Sequence, residues 1–184
     1  MACRFQVMGL YAGWIDGTLE CGGDSHFFSY SYLTNFFDDL MKALLYVDGH
    51  WPQDERVDAF RAECEPAVQD WMLQKEGDSL TIRIVTYDSE YSKEIKKTQT
   101  FFVSYQEFLG AFIQGMREML QKYGLYGYRR EWQSAEFPMG LFVKLVAVYR
   151  GEDAGILHVV TAEENFGTEV QASDLEQELE LLRQ

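Results

Sequence analysis

Residues 98–124, TQTFFVSYQEFLGAFIQGMREMLQKYG, change periodicity part-way along, and that change decides the fold class. Thr98–Val103 reads as a strand, rich in β-branched and aromatic residues. Ser104 and Glu107 then stand at capping-box spacing, where each side chain satisfies an amide that the first helical turn leaves open. Beyond them Tyr105, Leu109, Phe112, Met116, Met119 and Tyr123 fall on one helical face, and Gly124 closes the helix. Gly110 and Gly115 each cost a helix about 1 kcal/mol relative to alanine, so they predict close packing of this helix on a sheet.

Upstream, Leu80, Ile82 and Ile84 alternate with Thr81 and Arg83. Asp70–Lys75 approaches them through Glu76-Gly77-Asp78-Ser79, the pattern of a hairpin. Sequential strands with short connections make an antiparallel meander. Residues 50–66 are the least regular part of the first half. Before them, Leu33, Phe37, Leu40 and Leu44 predict a helix capped by Thr34, with Gly49 at the left-handed position that follows its end. Arg4–Met8 and Phe27–Tyr32 read as strands. Ile15-Asp16-Gly17-Thr18 supplies turn chemistry between them, and Gly22-Gly23-Asp24-Ser25 a loop or bulge.

Downstream, Leu141–Tyr149 fits a strand by its β-branched content and a helix by its length after Pro138. Residues 150–155 read as a hairpin loop and Ile156–Thr161 as a strand. Ser173 and Glu176 form a second capping box before a seam of Leu175, Leu179 and Leu182. The expected fold is α+β: an antiparallel sheet of about five to seven strands, two main helices packed on one face, and a short C-terminal helix. At 184 residues one domain spanning 1–184 is expected, with an acidic helical extension over about 165–184.

The formal charge is −14, and it is unevenly placed. Residues 1–65 carry four basic and eleven acidic groups, residues 66–150 eleven and ten, and residues 151–184 one and nine. A field of this sign repels phosphate backbones and anionic lipid surfaces and attracts basic partners. No apolar run reaches the roughly 20 residues of a membrane helix, and the first residues lack a secretory pattern. Three widely spaced cysteines, Cys3, Cys21 and Cys64, predict free thiols in a reducing cytoplasm.

Signatures of chemistry are sparse. The glycines make no phosphate-cradling pattern, no Gly-x-Ser-x-Gly elbow occurs, and no His-Glu-x-x-His pair exists. Asp24, Ser25 and His26 are consecutive, so in an extended chain they point to alternate faces and form no triad. Cys64, flanked by Glu63 and Glu65, is expected to hold its proton more tightly.

Asp48, His50, Asp54 and Glu55 form the best local cluster of candidate metal ligands, although they lack the ordered spacing of a calcium loop and fit an acidic surface loop. Glu63 and Glu65, two apart, fit either an acid–base pair or a charged edge strand. Residues 122–132 interleave Tyr126, Tyr128 and Trp132 with Arg129 and Arg130. That composition fits a partner surface, a platform for single strands, or rings closing over a helix end.

No cofactor is implied. The partner-binding candidates are Trp51, Glu63, Glu65, Tyr126, Tyr128, Arg129, Arg130 and Trp132. The expected function is that of a cytoplasmic, non-catalytic module binding a basic protein, such as an immunity-type inhibitor of a basic toxin domain, with neither nucleic acid nor membrane as partner. The general type is similar to small acidic bacterial proteins that neutralise toxins or act as adaptors, an analogy of composition alone. The alternative is a small carboxylate- or metal-dependent hydrolase or ligand-binding protein with a site near residues 48–65. The terminal leucine seam would also serve to pair two copies.

Overall fold

A computed structural model describes residues 3–92, 94–133, 135–152, 157–161 and 169–183. The fold is α+β, with antiparallel strands throughout, and the chain divides into two compact units, Met1–Pro138 and Met139–Gln184. In the first, β1 (Arg4–Tyr11), β2 (Trp14–Cys21) and β3 (Asp24–Ser31) make one sheet. The second sheet contains β4 (Ala59–Cys64), β5 (Ala67–Glu76), β6 (Ser79–Tyr87) and β7 (Ile95–Ser104). Helices α1 (Phe36–Val47) and α2 (Tyr105–Trp132) complete it.

The seven strands thus form two sheets in strand order rather than one, because α1 and its flanks carry the chain from β3 to β4. Residues 59–64, read from sequence as irregular, are a strand: Ala59–Cys64 pairs in register with Met72–Ala67. Neighbouring residues of β4 give no clean alternation, so pairing to β5 defines the strand where pattern does not.

The first hairpin turns at Ala12 and Gly13, both at positive φ, and not at Asp16-Gly17. Gly17 lies inside β2 for a steric reason: a Cβ there would stand 2.2 Å from Cζ of Phe28, whose ring occupies the space. The next hairpin turns at Gly22-Gly23, both also at positive φ. Phe5, Val7, Leu10, Ile15, Leu19, Phe28 and Tyr30 alternate inward from this sheet.

Helix α1 begins one residue later than the sequence suggested. Asn35 is its N-cap, while the Thr34 hydroxyl accepts a hydrogen bond from Glu63 N at 3.2 Å. Its end is a Schellman motif, with Gly49 N donating to Tyr46 O and His50 N to Leu45 O. In α2 the Ser104 hydroxyl accepts from Glu107 N at 3.2 Å, half of the expected capping box. The Glu107 carboxylate instead accepts from Cys3 N at 2.9 Å, tying the helix start to the start of β1. Gly124, at φ 65°, interrupts α2 without ending it, and a further helical stretch runs to Trp132, beyond the end that the sequence placed at Gly124.

Helix α2 lies chiefly along β1. A Cβ on Gly115 would stand 2.3 Å from Phe5 O, so the helix backbone approaches the strand as closely as it does only because that residue is glycine.

The second unit holds α3 (Met139–Arg150), β8 (Leu157–Thr161) paired antiparallel to β9 (Glu169–Ser173), and α4 (Leu175–Arg183) packed on α3. Residues 141–149 are therefore helical, and Gly151 closes α3 with a second Schellman motif. Asp174 rather than Ser173 caps α4, accepting from Gln177 N at 3.0 Å. Leu181 is the buried leucine of α4 while Leu175 is exposed, so the seam expected from Leu175, Leu179 and Leu182 is rotated. Residues 153–156 and 162–168, including parts of the expected loop, strand and acidic extension, lie outside the described residues. No helix among the described residues is long and apolar enough to cross a membrane.

The Gly115 contact sets a test. Gly115→Ala should destabilise the protein by about 1–3 kcal/mol in chemical denaturation, because the strand carbonyl cannot yield without moving β1. Gly127→Ala, whose new Cβ would meet only Tyr123 Cβ at 3.6 Å, should be neutral or stabilise by up to about 1 kcal/mol.

Candidate functional site

Glu63 and Glu65 are brought to one place, though not as neighbours on a strand face. Glu63 is near the end of β4, and Glu65 lies with Pro66 in the turn into β5. Register then places Tyr87 across from Val68 and Glu63, so the chain leaving β6 carries Ser89, Glu90 and Tyr91 past the same turn. Leu33 closes the third side, positioned by the Glu63 N–H bond to Thr34. These seven residues, Leu33, Glu63, Glu65, Pro66, Ser89, Glu90 and Tyr91, line an open groove of about 780 Å³.

None of the described lining residues is basic. Arg61, the nearest guanidinium on the strand, is committed to Asp70 through bonds of 2.7 and 3.0 Å and lies 5.9 Å over the Tyr87 ring. Burial raises the Glu63 carboxyl above its ordinary value, and the neighbouring charge of Glu90 raises it further. The side chain of Glu90 hydrogen-bonds Tyr91, which raises the phenol in turn. Tyr91 is 87% exposed and Leu33 58%, so the carboxylates stand between uncovered apolar walls. The adjoining Cys64 thiol is pushed up to about 11, first by burial and then by Glu63, which leaves it a poor nucleophile.

The other candidates are dispersed. Asp48 sits at the C-cap of α1, with one oxygen 3.0 Å from Lys75 Nζ and the other 3.5 Å from His50 Nε2, while Asp54 and Glu55 are exposed. Among the described residues no group of three or more His, Cys, Asp or Glu side chains could hold a metal ion. Trp51 is half-buried, with Lys42 Nζ 5.8 Å above its ring.

Tyr128 and Trp132, partner-binding candidates in the sequence, are fully buried, as in the alternative of rings closing over a helix end, with Tyr128 against Phe37, Trp132 and Phe137. Their positions in the last turns of α2 put them on the face that packs inward. Tyr126 is 84% exposed. Arg129 pairs with Glu136 at 2.9 Å, and Arg130 approaches Glu131 at 3.9 Å.

A buried polar chain was not anticipated from sequence. Trp71 Nε1 donates to the Tyr30 hydroxyl at 2.7 Å, and that hydroxyl donates to Gln69 Oε1. His26 Nε2 lies 3.1 Å from the same oxygen, and Nδ1 lies 2.9 Å from Gln99 Oε1, whose amide donates to Ser25 O. The chain crosses from β3 to β5 and β7 and so joins the two sheets. Its one sequence signal is that His26 shares the inward phase of Phe28 and Tyr30. Burial lowers the His26 pKa, and Lys97 adds to that, against the two glutamine hydrogen bonds.

Compared with protein-family models, with curated proteins and with solved structures, the chain matches none.

Two groups give stability opposite dependences on pH. Folded His26 holds its proton less tightly than in the unfolded chain, where its value is 6.5. Its contribution is complete above about pH 6.5 and is lost as the pH falls through the lowered folded value. Asp39 is raised from 3.8 to about 6 by burial and by Asp38, so its effect runs the other way: stability is gained as the pH falls from about 6 toward 4. In urea titrations between pH 7.5 and 4, His26→Gln should flatten the acid-side loss. Asp39→Asn should stabilise at pH 7.5, with the gain gone near pH 4.

Proposed function

We propose that the chain is a non-catalytic protein-binding module that receives a basic segment of another protein in the Glu63–Glu65–Glu90 groove. The observation that carries this reading is a groove with three carboxylates and no described basic residue in its lining, walled by the exposed Tyr91 ring and by Leu33. A lysine or arginine side chain entering it meets carboxylates that lack an ion pair among the described residues, while its methylene stem lies on apolar surface. An aromatic ring beside acids also suits a guanidinium through cation–π contact.

The electrostatics extend beyond the groove. Residues 1–65 carry seven more acids than bases, so a cationic partner is steered toward the region that contains Glu63 and Glu65. The same field disfavours nucleic acid and anionic membranes as partners. A module of this kind resembles in its physics an immunity-type inhibitor that covers a basic toxin domain, acting in the cytoplasm.

Affinity capture from native lysate with the purified protein should retain a basic partner that is released as salt is raised. Glu63→Lys combined with Glu90→Lys should reduce that retention by roughly tenfold or more. Equal retention by the double variant, or retention indifferent to salt, would remove the groove as the binding site.

A further inference from the structure

The expectation of three free thiols is overturned at two of them. Cys3 and Cys21 are joined by a disulfide between residues 18 apart, with Cα atoms 4.3 Å from each other, and Cys64 is the free cysteine. The pairing follows from register: Arg4 faces Glu20 across β1 and β2, so the residues one step outward face each other too. Cys3 is half-buried and Cys21 is 4% exposed.

A cavity of about 520 Å³ is lined by residues next to this bond, though by neither cysteine itself. Its lining includes Gly22, which follows Cys21, and Glu107, whose carboxylate accepts the Cys3 amide. Asp78 lies in the same wall, accepting from Gln106 N at 3.3 Å, and Phe102 is exposed at the rim. The Gly22 side is open, since nothing lies within 4 Å of where a Cβ would be.

From this juxtaposition we infer that Cys3–Cys21 is a thiol-exchangeable bond, attacked at Cys3, the less buried of the two, by a small amine-bearing thiol that the acids of the neighbouring cavity draw in. The thiolate attacks Cys3 Sγ and forms a mixed disulfide, the Cys3–Cys21 bond breaks, and its electron pair leaves on Cys21, which takes a proton from water. A second thiolate attacks the incoming sulfur of the mixed disulfide. It releases Cys3 as a thiolate that protonates, together with the small-molecule disulfide. Two thiols are oxidised, and one protein disulfide becomes two cysteines. Asp78 and Glu107 attract the ammonium group of such a thiol and repel a carboxylate-bearing one.

The test is the rate of reduction of the native protein at low salt, read by alkylation and mass measurement after quenching. Before reduction the denatured chain should take one alkyl group, and afterwards three. Cysteamine should reduce the bond several-fold faster than neutral 2-mercaptoethanol relative to their rates with a free model disulfide. Anionic 3-mercaptopropionate should be slower still, and high salt should level the three. Full reduction should lower the melting temperature by roughly 6–12 °C. Cys21→Ser should take up cystamine at Cys3, while Cys3→Ser should leave Cys21 unmodified in the native state. Three alkyl groups without reductant, a bond inert until the protein is denatured, no ranking of the thiols by charge, or equal uptake by the two variants would each overturn the inference. None of these readouts involves the Glu63 groove.

Discussion

Phe36 stands where three elements of the first unit meet. Its ring lies 4.6 Å from Tyr30 and 5.4 Å from Phe28 on β3, 5.4 Å from Trp71 on β5, 6.0 Å from Phe60 on β4, and 5.5 Å from its neighbour Phe37. Tilted and edge-on rings at these separations give each pair about 0.5–1.5 kcal/mol beyond the area buried. The two sheets share few hydrogen-bonded neighbours of their own, so this aromatic junction, with the polar chain from Trp71 to Gln99 beside it, sets how they face each other. A tryptophan N–H and a tyrosine hydroxyl can be buried there because each finds a partner in the chain.

The groove is a consequence of that junction. Once Trp71 and Phe60 face inward, the period of two along β4 and β5 turns Glu63, Arg61 and Asp70 outward. Arg61 is then consumed by Asp70, and the charge left over at the strand end belongs to Glu63, Glu65 and Glu90. The Thr34 hydroxyl, free of helix-capping duty, holds the end of β4 and fixes the groove's width on the Leu33 side. Excess negative charge in the sequence is thus expressed locally as carboxylates without a cation among the described lining residues, the condition under which a basic segment would gain most from docking.

Glu107 ties the start of α2 to the start of β1. Its sequence position marks the N-terminus of α2, and its carboxylate spends itself on Cys3 rather than on the helix's own amide. The amides of Tyr105 and Gln106 are met by Asp78, at the turn before β6, and that of Glu107 by Ser104, so the helix start is satisfied from two places in the chain. Strand, hairpin turn and helix are thus bound together where the disulfide sits.

By itself the sequence determined the α+β class, the hairpin at Gly77-Asp78, the caps at Ser104 and Gly49, and the close approach at Gly115. Each of these rests on local chemistry: alternation, a hydroxyl in reach of an amide, a residue that tolerates positive φ or lacks a Cβ. Tertiary structure alone decided that Gly17 belongs to a strand, that residues 59–64 pair with β5, that Tyr128 and Trp132 are buried while Tyr126 is not, and that Cys3 meets Cys21. Glu63 and Glu65 were legible as a pair, but Leu33, Glu90 and Tyr91 were not, nor was the chain through His26. These groups lie tens of residues apart and are joined by strand register and ring packing, which no local pattern encodes.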